Sequence, residues 1–338
     1  MLASAPTESD VTVLCRAACS TRLFLLLALL VASATSASAR TEPRQAQVPV
    51  RELHLDNGMK LLLIHRPEST SVVAGWMVGV GSAADPRDRT GLSHLLEHMM
   101  FKGTEKIGAR DFPRERAILA ELDSLGETRA ALETELETTS GKKQTQSTKR
   151  LQQLTAELED LQEQAERLAY QGELSFLYSA QGGTRFDANT LQDLTLYFVT
   201  LPADKLELWF WLESDRLLRP VFRQLHKEVQ VILEERRLRI GSTPTGRLDE
   251  SVRSIFWSGH PYSWNPMGQA EHLKSVTRSD AIEFFEAHYR ADNLTAALVG
   301  AFDVDQVEDW ARRYFGRIPT GAARSAPAVA PDPVSYTH

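Results

Sequence analysis

Alternating apolar and polar positions mark the first folded part of the chain. The segments VRELHL and MKLLLIH lie on either side of Asp56-Asn57-Gly58, and residues 71–81 form a third, almost continuously apolar segment. Asn-Gly between two alternating segments is a strong hairpin signal, and a short apolar run is typical of a buried strand. The pattern therefore predicts a hairpin over 51–66 and a third strand at 71–81. Thr90 is then the expected N-cap of a helix over 91–102.

The spacing of apolar residues becomes helical between 112 and 172. After a polar break at 138–147, it follows steps of three and four, the seam of a coiled coil, through Leu151, Leu154, Leu158, Leu161, Ala165 and Leu168. The pattern predicts two antiparallel helices joined at Gly141-Lys142-Lys143. Two interpretations remain open, a self-contained hairpin and a docking arm for a partner. The first is favoured because a short helical hairpin already buries its own seam.

Strand and helix patterns return after the hairpin. Alternation toward the end of 181–201 and a continuous apolar run at 293–302 predict strands. Amphipathic spacing predicts helices, which lie at 203–219, 221–240, 277–290 and 303–315. The final segment, 321–338, is rich in Ala and Pro and has the composition of a linker or of a truncated end.

The composition argues against one class of function but does not identify the function. The chain has 338 residues, of which 42% are apolar and 25% charged, and these values are ordinary for a soluble, folded protein. The formal net charge of −7 gives no support for nucleic-acid binding, which usually requires a basic surface. We therefore expect no nucleic-acid partner.

The N-terminus has the layout of a secretory signal peptide over residues 1–39. An apolar run at 23–34 is followed by Ala37-Ser38-Ala39, which matches an A-x-A cleavage site. The run has about 12 residues, short of the ~20 that span a bilayer, so no stable membrane span is expected. Retention of the leader as an anchor stays the alternative. Cleavage removes Cys15 and Cys19, the only cysteines, and leaves neither disulfides nor thiolate ligands.

The stretch GLSHLLEHMM at 91–100 carries the candidate chemistry. His94 and His98 are four residues apart, so their imidazoles share one helix face, and Glu97 reaches the same space. Burying these groups unpaired among apolar neighbours is costly. A metal removes that cost, and zinc accepts nitrogen and oxygen donors. Glu97 is better used as a general base than as a ligand, so a third protein ligand must come from elsewhere.

Several segments together resemble the M16 metallopeptidases, the family of pitrilysin, insulinase and the mitochondrial processing peptidase. GLSHLLEHMMFKGTEK is similar to the family's active-site helix, which carries an H-x-x-E-H signature. ANTLQDLTLYF (188–198) resembles its A-x-T-x-x-D-x-T-x-Y stretch, and KEVQVILEE (227–235) resembles its E-x(6)-E helix. The resemblance extends from about residue 51 to about residue 320.

The resemblance implies which residues complete the site. It makes Glu235 the third ligand of one Zn²⁺ per chain and Glu228 the carboxylate that supports the site. Seven residues are close to two helical turns, so these two side chains lie on one face of a helix. Glu234 is an alternative ligand by adjacency, but it points about 100° away from Glu235 on the helix.

Substrate contacts are implied at Asp187, Ala188 and Thr190. Asp187 departs from the family, which commonly has Asn at this position to hold the substrate backbone. An acidic residue there puts recognition of the peptide carbonyl in question.

The implied fold is α+β, a two-layer sandwich (LuxS/M16-like) of a mixed β-sheet with helices on one face, over residues 40–320. One distance departs from the family, because His98 and Glu235 are 137 positions apart, several dozen more than is usual. A hairpin whose ends are close adds length without separating the ligands. Residues 112–172 are therefore interpreted as an inserted antiparallel helical hairpin.

The implied function is a zinc-dependent endopeptidase that hydrolyses extended or unfolded polypeptides with metal-activated water. Family enzymes close two such halves around a peptide, so a second M16-like half or subunit, in a homo- or heterodimer, is the expected partner. The alternative is a non-catalytic M16-like subunit or envelope scaffold that acts through the hairpin. A signal peptide together with this resemblance predicts secretion across the inner membrane into a bacterial periplasm.

Overall fold

The computed structural model of the chain describes residues 48–138 and 140–321. The predicted signal peptide (1–39) lies outside these residues, and so does the predicted terminal linker (321–338) apart from its first residue. No helix in the part of the chain that the structure describes is both long and apolar enough to cross a membrane.

The described strands form one mixed sheet. They are β1 (Arg51–His54), β2 (Lys60–His65), β3 (Ser71–Val78), β4 (Thr184–Thr190), β5 (Thr195–Pro202) and β6 (Leu294–Gly300). Their order across the sheet is β1-β2-β6-β3-β5-β4. β2 and β6 pair in parallel, and every other neighbouring pair is antiparallel. β4 therefore lies at one edge of the sheet.

The α-helices are named here in chain order. They are α1 (Leu92–Met99), α2 (Phe112–Thr138), α3 (Lys142–Leu168), α4 (Glu173–Ala180), α5 (Leu206–Leu218), α6 (Leu225–Arg236), α7 (Pro244–Phe256), α8 (Ala270–Ser275), α9 (Arg278–His288) and α10 (Val304–Tyr314). A π-helical turn, Arg237–Gly241, follows α6 directly.

The predicted first hairpin is confirmed by β1 and β2. Gly58 adopts a φ of 88°, a left-handed conformation that favours glycine. The side chain of Asn57 donates to the carbonyl oxygens of Phe315 at 2.8 Å and Ile318 at 3.0 Å. The turn residues thus close the hairpin and also join it to the end of the described chain.

One face of the sheet is covered by helices. Along β3, the side chains of Val72, Ala74 and Trp76 are buried, whereas those of Val73 and Met77 on the other face are exposed. This period-two alternation is typical of a sheet with one buried face. The α+β class and the mixed sheet are therefore confirmed.

Helices α2 and α3 pack against each other through the predicted seam. Their shared apolar cluster comprises Ile118, Leu161 and Ala165, with Leu122, Leu125 and Leu168 packed around it. Near the turn between them, Lys143 Nζ lies 2.8 Å from Glu135 Oε1. The two helices are therefore antiparallel, while their status as an insertion stays a prediction.

The base of this helical hairpin is joined to the body by a buried ion pair. Arg223 donates to both carboxylate oxygens of Glu115, at 2.7 and 3.1 Å. The same guanidinium donates to the carbonyl oxygens of Lys102, Ile107 and Thr104 in the loop after α1. Since the guanidinium and the carboxylate are both buried, this network fixes the start of α2 beside α1.

The N-terminus of α1 is capped by a residue that lies outside the helix. Asp85 accepts hydrogen bonds from the backbone amides of Gly91 at 2.7 Å and Ser93 at 2.9 Å, and also from the Ser93 hydroxyl. The expected cap, Thr90, is wrong: Gly91 holds the N-cap position with a φ of 94°. The Thr90 hydroxyl instead accepts a bond from the Gln269 amide.

We expect Asp85→Ala to lower the free energy of unfolding by about 1–2 kcal/mol, because the first turn of α1 loses its acceptors. Urea denaturation of the zinc-free protein measures this change. Asp88→Ala is the control, since Asp88 is exposed in the same loop. Equal stability of the two variants would contradict the capping role.

Candidate metal centre

Two helices bring three donor groups together. His94 and His98 lie one turn apart on α1, and Glu235 lies in the last turn of α6. Glu235 Oε2 is 3.8 Å from His94 Nε2 and 3.6 Å from His98 Nε2. One atom from each of the three residues lies within 4.8 Å of the others. The structure therefore brings together the three residues that the sequence analysis named as ligands.

The geometry and chemistry of this set fit a zinc ion. Ligand atoms at ~2.1 Å from a tetrahedral ion are separated by about 3.4 Å, close to the observed distances. His94 is buried, and its Nδ1 has no hydrogen-bond partner among the described residues. Two imidazoles and one carboxylate are a donor set found in zinc hydrolases.

Burial also suits His94 to bind a metal. Burial, together with the nearby charges of His98 and Arg239, lowers the pKa of His94 to about 3. The imidazole is therefore neutral at physiological pH, which is the form that binds a metal.

Glu228 lies in the first turn of α6 and contacts His98. Its Oε2 lies 3.2 Å from His98 Nδ1, and its Oε1 pairs with the ammonium group of Lys102. Burial acts to raise the pKa of Glu228, but the hydrogen bonds from His98 and Lys102 outweigh it and lower that pKa. An ionised Glu228 accepts from His98 Nδ1–H, which leaves Nε2 to face Glu235.

Lys102 was not predicted as part of the site. It lies four residues after His98, so the helical spacing that joined the two histidines was an available signal. Only the fold, however, shows that its ammonium group meets Glu228 rather than solvent.

Glu234 and Glu235, the adjacent glutamates at the end of α6, point their side chains in different directions. Glu235 Oε1, the oxygen turned away from the histidines, lies 3.0 Å from Arg239 Nη1. Glu234 is exposed and forms a two-bond pair with Arg237, at 2.7 and 2.6 Å. Glu235 therefore faces the imidazoles, and Glu234, the alternative ligand by adjacency, lies on the solvent side.

Glu97 lies beside the three donors in a buried position. Its Oε2 accepts a hydrogen bond from the Thr190 hydroxyl. Burial raises the pKa of Glu97, against the lowering effect of the Thr190 hydrogen bond and His98, and with a further raising effect from Glu235 and Asp187. A carboxylate whose proton affinity is raised in this way is suited to accept a proton.

The residues named for substrate contact all lie on β4, the edge strand. Asp187 is exposed, and its Oδ1 accepts from the amide of its neighbour Ala188 at 2.9 Å. Ala188 is half-buried. The Thr190 side chain is buried and points to Glu97. Of the three, only Asp187 therefore has a side chain exposed at the site.

Comparisons with known proteins point to one family. Residues 60–161 match the family model "Insulinase (Peptidase family M16)", and residues 275–338 match the model "Peptidase M16 inactive domain". The chain is 23% identical over 283 residues to the probable mitochondrial-processing peptidase subunit beta of Arabidopsis thaliana, with 84% of this chain and 42% of that protein covered.

Two further proteins show the same similarity. The zinc protease PqqE of Helicobacter pylori is 23% identical over 275 residues, which cover 80% of this chain and 48% of that protein. The crystal structure of the first half of the periplasmic protease PqqL from Escherichia coli has the same fold, with a TM-score of 0.58 at 18% identity over 82% of this chain and 48% of that one. The chain thus spans about half the length of these two curated relatives.

We expect the purified chain to bind one Zn²⁺, as measured by calorimetry. His98→Ala should abolish binding, because it removes one of the three donors. Glu228→Gln should weaken it by about 10- to 100-fold, as loss of a ligand's support does, and Glu235→Gln by more.

Glu234→Gln is the matched control, since that side chain lies on the solvent side of the same turn. Equal affinities of the Glu234→Gln and Glu235→Gln variants would refute the assignment of the ligand.

We also expect the stability of the zinc-free protein to depend on pH through His94. The unfolded chain binds a proton at this residue near pH 6.5, whereas the folded chain does so only near pH 3. The unfolded state therefore binds more protons between these values, and stability is lost as pH falls from about 6.5.

His94→Asn removes this contribution, so its free energy of unfolding should fall less between about pH 7 and pH 5 than that of the unmodified protein. His54→Asn, at an exposed position, is the control. Parallel curves for the His94→Asn variant and the unmodified protein would contradict this origin of the pH dependence.

Proposed function

The chain belongs to the M16 (insulinase) peptidase family, and we propose that it is the metal-binding half of a zinc-dependent endopeptidase. The observation that carries this proposal is the convergence of His94, His98 and Glu235, with Glu97 buried at their side. This arrangement supplies both a metal site and a separate proton acceptor, which are the two requirements of metal-assisted hydrolysis.

In this proposal, the residues of the site have separate roles in hydrolysis. His94, His98 and Glu235 would hold the ion, and Glu228 keeps the His98 ring oriented. When bound, Zn²⁺ would supply Lewis acidity toward a water molecule and the scissile carbonyl. Glu97 accepts the proton of the attacking water and later passes it to the leaving amine.

We propose that the substrate is an extended peptide that adds to the edge of the sheet at β4. One side of this strand is paired with β5, and it is the last strand in the sheet order. An open strand edge recognises peptide backbone rather than a particular sequence, which suits unfolded polypeptides. The exposed Asp187 at this edge would favour an amide donor over a carbonyl oxygen of the substrate.

We propose that a second M16-like half or subunit completes the enzyme, in a homo- or heterodimer. The chain covers about half the length of two curated relatives, and one of these is named as a subunit beta. The helical hairpin α2–α3 is, in this proposal, an insertion between the ligand-bearing helices.

The periplasmic PqqL structure and the signal-peptide pattern of residues 1–39 support secretion into a bacterial periplasm.

The alternative is a non-catalytic subunit or envelope scaffold of the same family, acting through the hairpin. The match of residues 275–338 to the family's inactive-domain model favours it, although these residues lie outside the metal centre. Metal analysis separates the two functions, because a scaffold has no need of bound zinc.

We expect Glu97→Gln to abolish peptide hydrolysis while zinc remains bound at one ion per chain, because the variant keeps every ligand and loses the base. The assay uses a quenched fluorescent peptide with no fixed structure, added to the zinc-loaded chain with and without its second half. The chain alone is expected to be weakly active or inactive.

Glu234→Gln serves as the control and should leave turnover unchanged. Hydrolysis that survives Glu97→Gln would overturn the role of Glu97, and robust turnover by the chain as a purified monomer would overturn the requirement for a second half.

A further inference from the structure

The hydroxyl group of Thr190 makes a buried contact that a substrate-binding role does not explain. Thr190 ends β4, and its side chain is buried. The hydroxyl donates to Glu97 Oε2, on the side of the strand that faces the core. The side chain is therefore engaged with Glu97 rather than exposed at the open edge of β4.

The neighbouring hydroxyl groups fix the direction of this hydrogen bond. Thr195 pairs with Thr190 in the sheet register and is fully buried. Its hydroxyl lies 3.0 Å from the carbonyl oxygen of Val80 but 3.5 Å from Thr190 Oγ1. Each hydroxyl has one proton to donate, so that of Thr195 goes to Val80 and that of Thr190 goes to Glu97.

Two buried tyrosines lie close to these threonines. Tyr197 is two residues after Thr195 on β5, so both side chains lie on the same face of the sheet, and its hydroxyl group lies 3.0 Å from that of Tyr289. Thr190 is 6% exposed and ends a strand that is paired with β5. Its side chain is therefore closely packed in the position that meets Glu97.

We propose that Thr190 is the positioning residue of the general base: its hydroxyl holds Oε2 of Glu97, so that Oε1 is turned toward the attacking water. This inference rests on the proposed hydrolytic function of Glu97. In this proposal the side chain of Thr190 positions Glu97, and only the backbone of Thr190 contacts the substrate. A base held in one rotamer is ready for proton transfer, and misplacement of a catalytic group by about 1 Å can cost about 10²-fold in rate.

The first test observes Glu97 directly and needs no turnover. The zinc-loaded full chain is labelled with ¹³C at the glutamate carboxyl carbons, and the Glu97 signal is identified by its absence in Glu97→Gln. Thr190→Val keeps the shape of the side chain but removes the hydroxyl, so it should displace this signal. Thr190→Ser keeps the hydroxyl and should leave the signal in place.

Thr295→Val is the matched control, because Thr295 is a half-buried threonine on another strand of the sheet, β6. It should leave the Glu97 signal unchanged. If circular dichroism shows that Thr190→Val does not fold, the pair Thr190→Ala and Thr190→Ser makes the same comparison, since both lack the methyl group and only one keeps the hydroxyl.

The second test is kinetic and uses the chain with its second half. Thr190→Val should lower kcat by about 10- to 100-fold, with KM and zinc affinity unchanged, and Thr190→Ser should restore most of the rate. Thr295→Val, the same control as in the first test, should leave kcat unchanged.

The outcomes separate this inference from the function on which it rests. An unchanged Glu97 signal in Thr190→Val, or a kcat loss that Thr190→Ser does not restore, overturns the positioning role while hydrolysis stands. A displaced signal in a zinc-loaded protein that hydrolyses no peptide even with its second half supports the contact and overturns the proposed function instead.

Discussion

The structure depends on one constraint, the meeting of two imidazoles and a carboxylate in a partly buried space between α1 and α6. Three groups of this kind are costly to bury without a partner. Here Glu235 Oε2 lies 3.8 and 3.6 Å from the Nε2 atoms of His94 and His98. The surrounding contacts hold the two helices in this arrangement. Asp85 caps one helix, and the contact of Glu228 with His98 joins it to the other.

The candidate metal centre is compatible with the long helical hairpin that lies between the segments of its proposed ligands. The hairpin closes on its own apolar seam, and the buried Arg223–Glu115 pair fixes its base beside the loop that follows α1. Its length therefore extends away from the base, and a chain segment whose ends are held close adds little to the distance between the elements that it joins. His98 and Glu235 are for this reason distant in sequence and adjacent in space.

Local pattern was enough to predict most of the elements and the candidate residues on α1. The hairpin around Asn57-Gly58 and the strand at 71–78 follow from turn chemistry and alternation, and the spacing of His94 and His98 follows from the helical period. Long-range contacts could not be predicted in this way. Asp85 caps α1 from a preceding loop, and Thr190 meets Glu97 across 93 positions. Hydrophobic periodicity predicts one helix or strand at a time. It does not predict which loop or strand packs against that element.

The central claim is that His94, His98 and Glu235 bind the same ion. The most direct measurement is X-ray diffraction from crystals of the zinc-loaded protein, with anomalous data collected on both sides of the zinc absorption edge. The account predicts a single anomalous peak within about 2.0–2.2 Å of one nitrogen from each imidazole and one oxygen of Glu235. A peak elsewhere, or a Glu235 carboxylate turned to solvent while the histidines bind the ion alone, would contradict it.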